Sequence, residues 1–438
     1  MGTLSWLRAR AAPERHVQQP ARCQSVTPGF PLGRLSCGPA QPQASLMPGQ
    51  AWYVGLAELR HHVAVIGATG SGKTTTLGRF VDAALSADWS VLIVDAKGGR
   101  LADISRELAA HHGVPSRIWL PGAADSWTYD VCAGEPTVIA NRLIGAFQHG
   151  PEGEVYHNLS QAMLPAVARA VQQTGSTCDL DTVRHWLDAN LLVGLARRVP
   201  DPLLKAELLG FNTDLHRKAL AGLSGRLGAL RLGTFGAWLL PSARTVDLGA
   251  SLSSPGLTYL GLPATGASED VSLIGRVLFQ DLKQVAYAAL WRKPAAQRAA
   301  LVVFDEFASL READQLIDLL LQAREARLAM VVSSQHVPKL AGLRHAILGA
   351  GMLVLHQIGS PDDADLLARA IGTRLGGELI RQVHIGPNGP FVRRWVRRVP
   401  RFRIPPDDLR QLAIGQAVVS VRLGQQRTAV VQVDPLPS

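Results

Sequence analysis

A glycine-rich segment at residues 67–74 restricts the possible folds of this chain more than any other feature. Its sequence, Gly-Ala-Thr-Gly-Ser-Gly-Lys-Thr, fits the pattern G-x-x-x-x-G-K-[ST] at every fixed position. The apolar residues 62–66 before it predict a strand, and residues 75–81 after it predict the start of a helix. A glycine loop in that setting can curl its backbone N–H groups around a phosphate chain, and the helix N-terminus adds unpaired donors. The segment therefore predicts an α/β fold that binds a nucleotide.

Two side chains of the loop have expected contacts. Lys73 is expected to reach the β- and γ-phosphates, and the hydroxyl of Thr74 is a predicted Mg²⁺ ligand. The alternative, a chance glycine-rich turn, is disfavoured by the strand and helix on either side. The predicted nucleotide-binding residues are Gly67, Ala68, Thr69, Gly70, Ser71, Gly72, Lys73, Thr74 and Thr75.

Composition limits the class and location of the protein. The 438 residues are 47% hydrophobic and 18% charged, enough for a large core and two or three domains. The net charge of +10 suits a polyanionic partner, although solvated arginine faces are an equal alternative. The four cysteines have no zinc-site spacing, which fits a reducing cytoplasm. Neither a signal peptide nor an apolar run of membrane-spanning length is found, so we expect a cytoplasmic protein, with any membrane recruitment through partners.

Polar residues follow several apolar segments that are expected to be parallel strands. Asp95 follows 91–94, the pair Asp305 and Glu306 follows 300–304, and Gln335 ends the segment that begins at 329. Since the carboxyl ends of parallel strands meet at one edge of a sheet, all can face one nucleotide together with the glycine loop.

These strand ends predict the catalytic groups. Asp305 is expected to hold Mg²⁺ through water, and Glu306 to polarise the attacking water. Gln335 is expected to sense the γ-phosphate or orient water, because an amide both donates and accepts. The alternative for Asp305 and Glu306 is an exposed acid pair at the end of a strand, and the alternative for Gln335 is a simple strand cap. Asp95 and Lys97 have either a role in the same cleft or a place in a turn closed by Gly98 and Gly99.

The chain is expected to have four parts. Residues 1–54 are interpreted as a loosely ordered lead-in with a short strand near 26–35. Residues 55–134 and 241–438 are the two parts of a nucleotide-binding domain. Residues 135–240 are expected to form an all-α insertion, with helices at 155–171, 180–187, 203–209 and 215–230 and with Asp179 as an N-cap.

Two basic features remain open. Arg324 lies on a helix predicted over 312–327, where it is either an arginine finger for a neighbouring subunit or a solvated residue paired with Glu325 or Asp318. The segment 391–403 contains six arginines and three aromatic residues. It suits phosphate contact and base stacking, or equally an exposed strand whose arginine stems cover apolar surface, or a subunit contact.

The combined motifs resemble the HerA/FtsK-type hexameric motor superfamily, and within it the type IV secretion coupling proteins of the TraD/TraG kind. The resemblance runs from about residue 55 to 435. The segments that carry it are the glycine loop 67–74, the strand and turn 91–98, residues 246–263, 280–283, 305–307 with Arg324 and 333–335, and 406–419. Ala96 stands where the family has proline, and the transmembrane helices of the membrane-bound members have no counterpart here.

The resemblance implies a RecA-like fold with a mostly parallel central sheet and an inserted all-α domain. It also implies a ring hexamer that hydrolyses ATP with Mg²⁺ and passes DNA through its pore, with Arg324 as the arginine finger in trans. We expect backbone contacts to DNA with little sequence preference, and secretion or DNA-processing proteins as possible partners. The alternatives are a protein-translocating secretion ATPase, a HerA-like DNA-processing motor and a nucleotide-bound scaffold without turnover.

Overall fold

The computed structural model describes most of the chain after residue 28. The described ranges are 29–36, 47–147, 153–262, 268–290, 298–306, 317–320, 323, 325–338, 340–386, 389–424 and 426–437. The expectations for residues 1–28, Phe307 and Arg324 lie outside these ranges.

The strands include nearly all the apolar runs found in the sequence. They are β1 Gly29–Leu35, β2 Ala51–Gly55, β3 Val63–Ile66, β4 Ser90–Asp95, β5 Ser116–Trp119, β6 Thr128–Tyr129, β7 Thr245–Val246, β8 Gly256–Gly261, β9 Ala300–Asp305, β10 Leu328–Ser334, β11 Met352–Leu355, β12 Thr373–Gly386, β13 Gly389–Phe402, β14 Gln416–Val421 and β15 Arg427–Val433.

An eleven-stranded sheet forms the centre of the molecule, in the order β2-β1-β15-β14-β11-β3-β10-β9-β4-β8-β5. The strands from β11 to β5 are parallel, and the four at the other side are antiparallel. The predicted α/β class with a mostly parallel central sheet is therefore confirmed. Strand β3, which precedes the glycine loop, lies between β10 and β11.

The helices cover the sheet and form the insertion. They are α1 Leu56–Leu59, α2 Lys73–Ser86, α3 Arg100–His111, α4 Pro136–Ala146, α5 Glu154–Gln173, α6 Leu180–Trp186, α7 Leu192–Arg198, α8 Pro202–Gly210, α9 Asp214–Leu232, α10 Leu248–Ser253, α11 Ser268–Leu290, α12 Ala341–Leu348, α13 Pro361–Ile371 and α14 Pro406–Arg410. Among the helices that the structure describes, none is long and apolar enough to cross a membrane.

The strand period of two divides the core between the two faces of the sheet. Val91 and Ile93 pack on one face in the cluster that contains Phe80 of α2. Leu92 and Val94 pack on the opposite face, in a cluster that continues through the helices α4–α9. The buried apolar residues of α4–α9 thus share one core with a face of the sheet.

Local signals place several elements correctly. The predicted N-cap Asp179 accepts a hydrogen bond from the amide of Thr182 at 2.7 Å, and α6 follows it. The helix predicted over 312–327 does not extend to its expected end. Residues 317–320 are helical, but residues 325–327 form a turn, in which Arg327 has a φ of +59°. This reversal brings the chain into β10.

The N- and C-terminal parts differ from the expectation. Strand β1 lies where a short strand was expected, but β2 also joins the central sheet, so these two segments of the lead-in are ordered. The basic segment at 391–403 is mostly strand β13. It pairs along its whole length with β12, a strand that the sequence did not predict. Only two residues separate β12 from β13, and Asn388-Gly389 is a local hairpin signal that the sequence interpretation did not use.

Candidate nucleotide-binding and catalytic site

The glycine loop connects β3 to α2 and has the backbone that its glycines allow. Gly70 and Gly72 have φ values of +77° and +113°, where a side chain would be strained. A Cβ at Gly67 would come within 2.6 Å of the Cβ of His356. The loop therefore requires glycine at positions 70 and 72 for the backbone conformation and at position 67 for close packing.

Several backbone donors of the loop have no partner. The amides of Thr69, Gly70, Gly72, Lys73 and Thr74 donate no hydrogen bond to any part of the chain that the structure describes. The last two begin α2, where the first N–H groups of a helix have no intrahelical acceptor. Together with the positive end of the helix dipole, these donors form a site for an anion.

The predicted loop residues divide into two groups. Thr69, Gly70, Gly72, Lys73, Thr74 and Thr75 line a cleft of about 350 Å³. Gly67, Ala68 and Ser71 support it from behind. The Lys73 ammonium donates to the carbonyls of Gly67 and Ala68, at 2.7 and 3.1 Å, and the Ser71 hydroxyl donates to Ala68 at 2.7 Å. Burial lowers the pKa of Lys73, although Glu306 and Asp305 act in the opposite direction.

The predicted acidic pair lies in the same cleft. Asp305 ends β9, and Glu306 follows it; both line the cleft with Lys73 and Thr74. Burial and the neighbouring Asp95 raise the pKa of Asp305. Glu306 has a φ of +51°, a left-handed conformation that costs a residue with a Cβ about 1–2 kcal/mol. Backbone strain of this kind clusters at functional sites.

Gln335 connects the glycine loop to the acidic pair. Its Oε1 accepts a hydrogen bond from the hydroxyl of Thr69 at 2.8 Å. Its Nε2 donates to Oε2 of Glu306 at 3.0 Å, and its backbone amide donates to Oε1 at 3.4 Å. One amide therefore contacts both sides of the cleft.

Asp95 differs from Asp305, which lies opposite it in register on the adjacent strand. Oδ1 of Asp95 accepts from the amides of Lys97 and Gly98 at 2.8 and 3.0 Å, and Oδ2 accepts from the hydroxyl of Tyr259 at 2.7 Å. Both oxygens are thus engaged in the turn and the neighbouring strand. Asp95 shapes the wall of the cleft, and Asp305 and Glu306 are the better candidates for chemistry.

The sequence interpretation missed three contributors to the site. Arg100, at the start of α3, lines the cleft as a further cation. Tyr259 holds Asp95. His356 lies behind the loop, donating from Nδ1 to the carbonyl of Gln416 at 2.9 Å and accepting at Nε2 from the hydroxyl of Thr76 at 2.8 Å. His356 directly follows the apolar strand β11, which is the same signal that identified Asp95 and Asp305.

The parallel sheet, the glycine loop and the acidic strand end define a P-loop NTPase with a RecA-like fold. Residues 45–99 match the family model described as "Helicase HerA, central domain". This match covers the glycine loop with strands β3 and β4, and it agrees with the predicted resemblance to the HerA/FtsK-type P-loop ATPases.

Solved structures share the fold along nearly the whole chain. The unbound bacterial conjugative coupling protein TrwBΔN70 is 18% identical, with a TM-score of 0.59 over 88% of this chain and 87% of its own. TrwB with a non-hydrolysable ATP analogue is 18% identical, with a TM-score of 0.60 over 95% and 97%. VirB4 of Thermoanaerobacter pseudethanolicus is 13% identical, with a TM-score of 0.55 over 94% and 98%. No curated protein sequence matches the chain.

Proposed function

We propose that this protein is an ATPase that couples hydrolysis of Mg²⁺-bound ATP to the movement of DNA, working as a ring hexamer. The observation that carries the proposal is the cleft in which unpaired loop amides and Lys73 face Asp305 and Glu306. The structural relatives support a purine nucleotide with Mg²⁺, because TrwB was solved with an ATP analogue, with a GTP analogue, and with ADP and Mg²⁺.

The loop fits a triphosphate by its chemistry. Within the described part of the chain, the amides of Thr69, Gly70, Gly72, Lys73 and Thr74 are donors without acceptors, and Lys73 and Arg100 add positive charge. Lys73 would exchange its present carbonyl acceptors for phosphate oxygens. The Thr74 hydroxyl would be an oxygen ligand of Mg²⁺, and Asp305 would hold the ion through water; when bound, the ion would supply neutralisation of charge on the phosphates.

Glu306 is the proposed general base, and Gln335 the proposed sensor. As a carboxylate beside the cleft, Glu306 accepts the proton of the attacking water. Gln335 donates to Glu306 and accepts from Thr69, so a change at the loop is transmitted to the base through one side chain. Asp305 acts as a carboxylate, so its raised pKa predicts loss of this function as the pH falls through that pKa.

The remaining proposals follow from the resemblance. Arg324 would act on the nucleotide of the adjacent subunit. DNA would be held through its backbone, with little sequence preference, which the net charge of +10 supports. The protein would work in the cytoplasm, recruited to a membrane or to DNA by secretion or DNA-processing partners.

Glu306→Gln tests the catalytic part of this proposal. We expect ATP turnover to fall by about 10²- to 10⁴-fold, because the general base is lost while the phosphate contacts remain. Nucleotide binding should persist in this variant and disappear in Lys73→Ala. Turnover and binding of a fluorescent ATP analogue are measured with Glu207→Gln, an exposed change on α8, as control.

Two outcomes would contradict the proposal. Unchanged turnover in Glu306→Gln would remove this residue as the base, and absence of turnover in the natural sequence would favour a nucleotide-bound scaffold. Turnover measured with single- and double-stranded DNA tests the coupling. Normal basal turnover without stimulation by either would favour an ATPase that moves protein.

A further inference from the structure

Strands β12 and β13 form a two-stranded ribbon that is separate from the central sheet. The pairing is continuous from Thr373 opposite Phe402 to Gly386 opposite Gly389. Fourteen residues per strand at about 3.4 Å each give a length of about 48 Å. An isolated two-stranded hairpin is marginally stable in water, so a ribbon of this length needs a partner for its surface.

The ribbon is exposed on both sides. None of the side chains described at residues 374–382 or 394–401 is buried. The exposed fractions include 68% for Leu375, 65% for Val396 and 41% for Trp395. At the base of the ribbon, Phe402 packs against the main core. The apolar residues therefore do not serve as a core within the described part of this chain.

Most of the net charge of the protein is concentrated here. Residues 373–402 contain seven arginines, one glutamate and no lysine or aspartate, a net charge of +6 out of +10 for the whole chain. None of the arginines whose side chains are described forms an ion pair within the described part of the chain, a set comprising Arg374, Arg381, Arg394, Arg397, Arg398 and Arg401. Unpaired guanidinium groups at this density attract a polyanion.

Directly opposed residues of an antiparallel pair share a face, so the register assigns each residue pair of the ribbon to one of its two faces. One face carries the pairs Arg381–Arg394, Leu379–Val396 and Gly377–Arg398. The other carries Ile380–Trp395, Glu378–Arg397 and Arg374–Arg401. The first face thus presents an apolar centre between arginines, and the second presents Ile380 and Trp395 beside Arg397.

We propose that the β12–β13 ribbon, residues 373–402, binds the nucleic acid on which the motor acts. This rests on the proposed function and assigns it a contact surface. The arginines contact phosphates, and Trp395 stacks on bases where these are unpaired. A two-stranded ribbon also has the width that the major groove of a duplex admits. A second copy of the chain fits less well as the partner, because its ribbon carries the same positive charge and the rest of the chain, at a net charge of +4, is not acidic.

A triple variant tests the arginines. Arg394→Gln, Arg397→Gln and Arg398→Gln are combined, and the matched control removes in the same way three exposed arginines outside the ribbon, Arg197, Arg217 and Arg244. Binding of labelled single- and double-stranded oligonucleotides is followed by fluorescence anisotropy over a range of salt. We expect the slope of log K against log salt to shrink by about 2–3 and the affinity to fall at least about tenfold. The control should resemble the natural sequence.

Trp395 distinguishes the two forms of DNA. We expect Trp395→Ala to weaken single-strand binding by about 5- to 150-fold with an unchanged salt slope, and Trp395→Phe to retain most of the affinity. Duplex binding should not change in either variant. If Trp395→Ala binds single strands as tightly as the natural sequence, the stacking role is wrong.

The outcomes separate this inference from the proposed function. If the natural sequence binds DNA and the arginine variant matches its control in affinity and slope, the ribbon is not the contact, while the motor proposal stands. If the natural sequence binds no DNA, both are wrong. Molar mass from light scattering covers the remaining case. If the arginine variant no longer assembles but keeps the DNA affinity and salt slope of its control, the ribbon is a contact between subunits.

Discussion

His356 shows how a single residue can be committed to one protonation state. It is fully buried behind the glycine loop, and both ring nitrogens have partners. Since the Gln416 carbonyl can only accept, Nδ1 carries the proton, and Nε2 is left to accept from Thr76. Burial lowers the pKa of His356 to about 4. The imidazole is therefore neutral in the native protein, where it holds the first turn of α2 against β14.

The lowered pKa predicts how stability depends on pH. In the unfolded chain this histidine takes up a proton below its pKa of about 6.5, whereas in the native chain it stays neutral until about pH 4. Stability is therefore lost as the pH falls through this window. Between about pH 7 and about pH 5 this group alone should cost about 2 kcal/mol of unfolding free energy. His356→Gln should lower stability at neutral pH but flatten this dependence.

Urea unfolding at several pH values measures the effect, with the exposed His185→Gln as control. The difference between the profiles of the natural sequence and His356→Gln isolates this histidine from the carboxylates that titrate in the same range. Parallel profiles for the two proteins would mean that His356 is not held neutral.

At the scale of elements, a buried charge network joins the insertion to a helix that covers the sheet. Arg142 of α4 donates to Asp281 of α11 at 2.6 Å and to the carbonyls of Val131 and Ala133 at 3.0 and 2.8 Å. The Tyr129 hydroxyl donates to the second carboxylate oxygen of Asp281 at 2.6 Å. The network fixes α4, the first helix of the insertion, relative to α11.

Breaking this network should be costly. Asp281→Ala leaves the Arg142 guanidinium buried without its counterion, so we expect a loss of about 3–5 kcal/mol in unfolding free energy. The matched control is Asp181→Ala, which removes the more exposed ion pair to Arg231 and should cost about 0–1 kcal/mol. Denaturant unfolding measures both. Equal losses in the two variants would show that α4 and α11 are held by apolar packing alone.

At the scale of the whole molecule, the proposed ring divides each active site between two chains. The cleft supplies the loop, the metal ligands and the base, whereas Arg324 would come from the neighbour. Arg324→Ala alone should reduce turnover by about 10³- to 10⁵-fold, because charge on the transferred phosphoryl group is no longer stabilised.

Mixing two inactive variants tests whether the arginine acts in trans. Arg324→Ala has an intact cleft and Glu306→Gln an intact arginine, so about one quarter of the interfaces in a random ring combine both intact halves. We expect turnover to reappear on mixing. Glu306→Gln mixed with Lys73→Ala, both defective in the cleft, should stay inactive. A mixture no faster than its separate components would place Arg324 outside the neighbour's site.

The sequence by itself determined the features that local pattern encodes. The glycine loop, the apolar strands and the acidic pair after β9 each lie within a few residues, so spacing and periodicity were sufficient to predict them. The convergence of Lys73, Asp305 and Gln335 could also be predicted, because parallel strands bring their carboxyl ends to one edge.

Only the tertiary structure decided which polar residues are free to act and which partner each strand takes. Asp95 and Asp305 follow similar strands, but the hydroxyl of Tyr259 and two amides occupy the first. Strand β1 pairs with β15 near the other end of the chain, and β3 lies between β10 and β11, through contacts that no local signal records. Hydrogen-bond satisfaction and strand register depend on groups distant in the chain, and for that physical reason folding had to bring them together before their roles could be assigned.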